Sequence, residues 1–334
     1  MVANNSAPRN TSEIAGEYFD RGWSVIPVNP GEKKPIGQEW QNKVIDREDV
    51  GLLFKDRNIG VRLGEKSGGL VDVDLDCPEA RTVAAHFLEL AREGCSDTAV
   101  FGRQSAPDSH YLFYAEGAES ATYAVSQGST LVELRADKRQ TIFPGSQHPS
   151  GELIEWRDQR APQVIDAEAL SRSVRAIAAA VALAGAWAPG NRHNIALALA
   201  GGLLRNGWNA SDAEDLIQGV CLAAGDEEVE DRLGAVTTTA QRIAQGEHVS
   251  GLPTLAEHVG EEVVDKVAKW LDLNRQDQLV LDRTDPAPSA RTFAAMHHTH
   301  DGAFTIRHYL DEWYEWEGSH YAEKEQKHVR QQLS

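Results

Sequence analysis

Three aspartates alternate with apolar residues in the run Leu70-Val71-Asp72-Val73-Asp74-Leu75-Asp76, which Gly68-Gly69 precede and Cys77-Pro78 follow. Valine and leucine at every second position, bounded by turn-formers, predict a β-strand. Its period of two puts Asp72, Asp74 and Asp76 on one face, with successive carboxylates about 6.6–7 Å apart along the strand. Like charges stacked in this way repel unless a cation neutralises them, and hard ions such as Mg²⁺ or Mn²⁺ take oxygen ligands. The run is therefore a candidate metal site for phosphate chemistry. A solvated edge strand is the alternative for the run by itself.

Two further segments carry matching chemistry. After Phe101-Gly102-Arg103, the stretch Pro107-Asp108-Ser109-His110-Tyr111-Leu112-Phe113-Tyr114 places His110 at the start of an aromatic strand. There its ring can donate to a phosphate oxygen or move a proton; a half-buried strand histidine is the alternative. Further on, Leu131-Val132-Glu133-Leu134-Arg135 sets Glu133 and Arg135 on one strand face. Glu133 can complete a carboxylate set with the acidic run, and Arg135 can offer a forked donor to phosphates. Taken alone, the same pair also reads as a surface ion-pair ladder. The turn Pro144-Gly145-Ser146 and His148 add small donors suited to a triphosphate, or form an ordinary loop.

The elements that must position these residues begin with a helix from Ser12 to Arg21, Ser12 as its N-cap and Ile14, Ala15, Tyr18 and Phe19 on its buried stripe. Strands are expected at 23–28 and 58–63, with a short helix over 46–54 between them. The acidic strand leads into a helix from about Pro78 to Glu93, and strands follow near 98–101, 111–114, 130–134, 141–143 and 153–156. Strands mixed with a few helices predict an α+β domain over 12–165. From Asp166 the pattern turns helical, with expected helices at 167–183, 192–205, 210–224, 227–244 and 260–271, a bundle spanning 166–273. Residues 274–292 lose periodicity around Asp285-Pro286-Ala287-Pro288 and read as a linker. Aromatics return at Phe304, Tyr309, Trp313, Tyr314, Trp316 and Tyr321, so 293–334 reads as the start of a further small domain, cut mid-pattern as in a fragment of a longer polypeptide.

The chain has 334 residues, 41% of them hydrophobic and 25% charged, the balance of a soluble globular protein of roughly two domains. No apolar run reaches the ~18–20 residues of a membrane span, and Met1 to Ser12 lack the features of a signal peptide. Cys77, Cys95 and Cys221 form no Cys-x-x-Cys pair, which excludes a disulfide framework and fits a reducing cytoplasm. His297, His298 and His300 lie together without a cysteine pair, so no structural zinc is expected and the tract reads as flexible. The formal net charge of −18 argues against tight nonspecific binding of nucleic acid by the chain as a whole, while leaving room for a local basic groove.

In their order, these segments resemble the bifunctional primase–polymerase domain of phage and plasmid replication proteins, within the archaeo-eukaryotic primase superfamily. The resemblance covers about residues 12–160. It rests on Gly22-Trp23-Ser24-Val25-Ile26-Pro27, Lys33-Lys34-Pro35 with Trp40, Asn58-Ile59-Gly60-Val61, the acidic run, Ser109-His110, Glu133-Leu134-Arg135 and Pro144-Gly145-Ser146. It implies an RRM-like catalytic domain that transfers nucleotides on a template with two Mg²⁺ or Mn²⁺ ions. The metal pair it implies is Asp74 and Asp76, with Glu133 as third acid where relatives often carry Asp. Asp72 lies lower on the same face, and the residues themselves leave the register open among the three aspartates.

His110, Arg135, Ser109, Ser146, His148, Arg103 and Lys34 then become candidate contacts for a nucleoside triphosphate. The implied partners are single-stranded DNA template, primer and a replicative helicase, fused or separate, in the cytoplasm (the host's, if phage-encoded). The same carboxylates with water as nucleophile would give a nuclease or phosphohydrolase. An inactive primase-like adaptor for a helicase is the other alternative.

Overall fold

The computed structural model describes residues 10–274, apart from 93, 127 and 246, together with 299–300, 303–309, 312–317 and 319–325. In chain order the first part holds α1 (Thr11–Asp20), β1 (Ser24–Val28), α2 (Val50–Leu53), β2 (Asn58–Arg62), β3 (Leu70–Leu75), α3 (Pro78–Ala91), β4 (Ala99–Arg103), β5 (Ala106–Tyr114), β6 (Ala121–Ala124), β7 (Thr130–Arg135), β8 (Gln140–Ile142), β9 (Glu155–Asp158) and β10 (Gln163–Val164). The main sheet runs β6-β7-β3-β5-β4-β9, with β10 parallel to β5, and a second sheet runs β1-β2-β8. This is the α+β class expected from the sequence.

The acidic strand β3 is thus interior to its sheet, flanked by β7 and β5, which removes the edge-strand alternative. Alternation sorts its residues between two cores. Val71, Val73 and Leu75 pack with Ala80, Val83, Ala84, Phe87 and Leu88 of α3. Leu70 joins Phe101 and Leu112 of the main sheet and Val25, Ile59 and Val61 of the second sheet in the other core. Asp72 and Asp74 point to that second side, where the two sheets face one another.

Helix α1 is capped by Asn10, whose side chain accepts from the Ser12 N–H at 3.1 Å, so Ser12 is inside the helix and not its cap. Ala15 and Tyr18 are buried as expected. β5 starts at Ala106, four residues before His110, because the Pro107-Asp108 stretch pairs with β4 through a bulge instead of forming a turn. His110 consequently lies within the strand and does not open it.

Helices α4 (Ala167–Ala184), α5 (Arg192–Arg205), α6 (Ala210–Ala224), α7 (Val229–Ala244), α8 (Leu252–Val259) and α9 (Glu261–Trp270) follow. Six helices therefore stand among the described residues of this region where five were expected. The extra one, α8, carries Pro253 in its first turn and has Gly251 and Gly260 at its ends, residues that read as loop in the sequence. Ile177, Leu199, Leu216 and Val236 of the helices share one continuous core with α3 and the main sheet, and residues 1–274 form one compact unit. Among the described residues no helix is long and apolar enough to cross a membrane.

Residues 275–334 form a second unit. Its described strands are β11 (Thr299–His300), β12 (Ala303–Phe304), β13 (Ile306–Tyr309), β14 (Glu312–Trp316) and β15 (Tyr321–Lys324), the last three an antiparallel sheet. Trp316 stands opposite Tyr321 with ring centroids 5.2 Å apart. The expected linker beyond Asn274, and His297 and His298, lie outside the described residues.

Candidate active site

Strand register brings the separate segments together. Asp74 of β3 stands opposite Glu133 of β7 on one side and His110 of β5 on the other, and His110 stands opposite Phe101 of β4. Directly opposed residues share a sheet face, so one row across four strands carries Glu133, Asp74, His110 and Phe101. Asp76 follows at the strand end, where its N–H still donates to the Leu131 carbonyl at 3.0 Å. Carboxylate oxygens of Asp74, Asp76 and Glu133 all lie within 4.8 Å of one another.

The three acids differ in setting. Asp74 is buried, Glu133 half-buried and Asp76 reaches solvent. Burial raises the Asp74 carboxyl above its usual range. Loss of surrounding water, then the neighbouring Asp74 charge, pushes Asp76 up to about 6. Asp74 and Asp76 are thus disfavoured as anions, and a hard cation among the three clustered carboxylates would relieve that cost, so these residues could hold one such as Mg²⁺ or Mn²⁺. Arg135 already supplies part of the compensation. Its guanidinium pairs with Asp74, and it donates to Glu133 Oε2 from Nε at 2.8 Å and Nη2 at 2.5 Å. Burial lowers and the surrounding carboxylates raise its pKa, and the carboxylates win. Thr122 Oγ1 donates to the other Glu133 oxygen at 2.9 Å.

These acids open onto a cleft of about 300 Å³ whose wall also carries His110, Arg135, Ser109, Arg103 and His148. The Ser109 hydroxyl is buried and has no hydrogen-bond partner among the described residues; strand alternation places its side chain on the sheet face opposite that of His110. Arg103 rests against Glu152 at 3.3 Å, and His148 Nδ1 lies 2.9 Å from the Ser150 hydroxyl. Partial burial, then the charges of Arg103 and Lys33, lower the His148 pKa.

Three of the expected residues are placed differently. Asp72 has no exposed side-chain surface and pairs with His110, outside the converging trio. Ser146 is buried, and its hydroxyl accepts from the Ile59 N–H at 2.8 Å, so it ties the loop to β2 instead of facing the cleft. Lys34 is absent from the cleft wall and Lys33 stands there in its place. Arg81 and Arg139 also line the cleft, unnoticed in the sequence because neither belongs to a recognisable pattern. Adjacency of Arg139 to the Glu133-Leu134-Arg135 strand, one turn further on, was the available signal.

Carboxylate oxygens that could hold a hard cation stand here beside guanidinium and imidazole groups, a combination chemically suited to phosphates. Residues 15–170 match the family model described as bifunctional DNA primase/polymerase, N-terminal. No curated protein matches the chain.

Proposed function

We propose that the chain is a template-dependent nucleotidyltransferase, a DNA primase and DNA polymerase of phage or plasmid replication. The observation that carries the reading is the convergence of Asp74, Asp76 and Glu133 from two strands onto a cleft lined by cations. When bound by these carboxylates, two Mg²⁺ or Mn²⁺ ions supply Lewis acidity to the primer 3′-hydroxyl and charge neutralisation to the pyrophosphate leaving group. Arg135 holds Asp74 and Glu133 in place and offers its remaining donors to phosphate oxygens. His110, Arg103, Lys33 and Arg139 add positive charge around the triphosphate.

Past Arg139 lies a second depression of about 220 Å³ lined by Trp40, Lys66 and Lys138, suited to a single strand of template or primer through stacking and phosphate contacts. In this reading the helices of 166–273 extend the catalytic domain, and the region from 293 leads towards a replicative helicase, fused or separate, in the cytoplasm.

The test is incubation of the full chain with single-stranded template, annealed primer, deoxynucleoside triphosphates and Mn²⁺. Extended primers, lost on Asp74→Asn with Asp76→Asn, are the expected result. Shortened strands without extension would assign the carboxylates to hydrolysis, and no change to either strand would make the domain an inactive adaptor.

A further inference from the structure

β3 carries one aspartate more than the cation trio uses. Asp72 has no exposed side-chain surface, and both its oxygens are committed. Oδ2 accepts from Thr141 Oγ1 at 2.7 Å, and the two oxygens lie 3.0 and 3.2 Å from Nδ1 of His110. Thr141, itself buried, belongs to β8 of the second sheet, so this contact links the two sheets through one carboxylate. The His110 ring is fixed in a second direction as well. It stacks on Phe101 with centroids 4.5 Å apart and planes 14° from parallel. Stacking sets the plane of the ring, and Asp72 sets which edge turns inward. The histidine retains 15% side-chain exposure, on the wall of the cleft.

We infer that Asp72 and Thr141 are positioning residues for His110. They hold its Nδ1 edge inward so that the Nε2 edge is the one presented to a phosphate of a nucleotide in the cleft. A ring turned over about its Cβ–Cγ bond would forfeit its bond to Asp72 and leave a fully buried carboxylate with Thr141 alone, a costly exchange. Asp72 therefore serves the site through the histidine and not through the cation. This assignment rests on the reading of the cleft as a nucleoside triphosphate site.

The experiment is a double-mutant cycle on the full chain, reading dATP affinity in the presence of Mn²⁺ and, separately, Mn²⁺ affinity alone. His110→Gln should weaken dATP binding about tenfold, the scale of one charge-assisted hydrogen bond. Asp72→Asn should weaken it about three- to tenfold in the parent chain and by less than about twofold in the His110→Gln background, with Mn²⁺ affinity held within about threefold in both. Thr141→Val, which leaves Asp72 in place but loosens it, should act in the same direction with a smaller effect that also vanishes without His110, and it keeps the test valid if Asp72→Asn does not fold. Additive losses would show that Asp72 acts independently of His110 and overturn the assignment. Loss of Mn²⁺ affinity on Asp72→Asn would make Asp72 a cation ligand and overturn it too. A parent chain that binds Mn²⁺ but not dATP would overturn the nucleotide reading itself, a distinct result.

Discussion

Asp74 and Asp76 are two positions apart, yet one is buried in the sheet and the other reaches solvent beyond its end. That step would let a cation reach Asp76 while Asp74 pairs with Arg135 and His110. With its carboxyl at about 6, Asp76 is largely ionised at pH 7.5 and largely protonated at pH 5. A cation must displace that proton, so Mn²⁺ affinity should fall as pH drops through 6, approaching about tenfold per pH unit for one proton. Calorimetric titration at pH 7.5, 6.5 and 5.5 checks this; a flat profile contradicts it. The three aspartates of the acidic run were legible as candidates because alternation is a property of neighbours along one strand, whereas the choice of Asp74 and Asp76 among them, with Glu133 as third acid, came from the family resemblance. Thr141, Lys33 and Arg139 were not legible, because their places depend on how two sheets and a loop meet, which no periodicity encodes.

Between elements, α3 packs against both α4 and α6, which fastens the layer behind β3 to the helices. Gly219 of α6 permits the contact with α3, since a Cβ there would stand 2.2 Å from Cζ and 2.5 Å from Cε2 of Phe87, a ring buried in the core. Gly219→Val should cost about 1–3 kcal/mol of stability by overpacking, read as a lower midpoint in urea, with Mn²⁺ affinity retained in the folded protein. An unchanged midpoint would mean that the two helices can part at no cost. The spans of α5 and α6 were readable to the residue because apolar spacing and the flanking Gly-Asn and Gly residues agree. The four-residue β6 escaped notice: Ala121-Thr122-Tyr123-Ala124 is too short for a pattern, and its strand state comes from pairing with β7.

On the scale of the whole molecule, a net charge of −18 must coexist with a site for polyanions. The structure reconciles them by locality: Lys33, Arg103, Arg135 and Arg139 line the cleft, and Lys66 and Lys138 continue past it. Affinity for single-stranded DNA should therefore be salt-sensitive despite the acidic total. Lys66→Glu with Lys138→Glu should weaken binding about tenfold and flatten the log–log salt slope by about 0.7 for each phosphate left without a cationic partner. An unaltered slope in fluorescence anisotropy titrations would place the strand elsewhere. The central claim, that carboxylates from β3 and β7 jointly hold the catalytic cations, is tested most directly by anomalous diffraction from crystals soaked with Mn²⁺ and a non-hydrolysable nucleoside triphosphate. The account predicts manganese peaks among Asp74, Asp76 and Glu133 with the phosphates towards His110 and Arg135. Manganese bound elsewhere, or none within reach of Glu133, would contradict it.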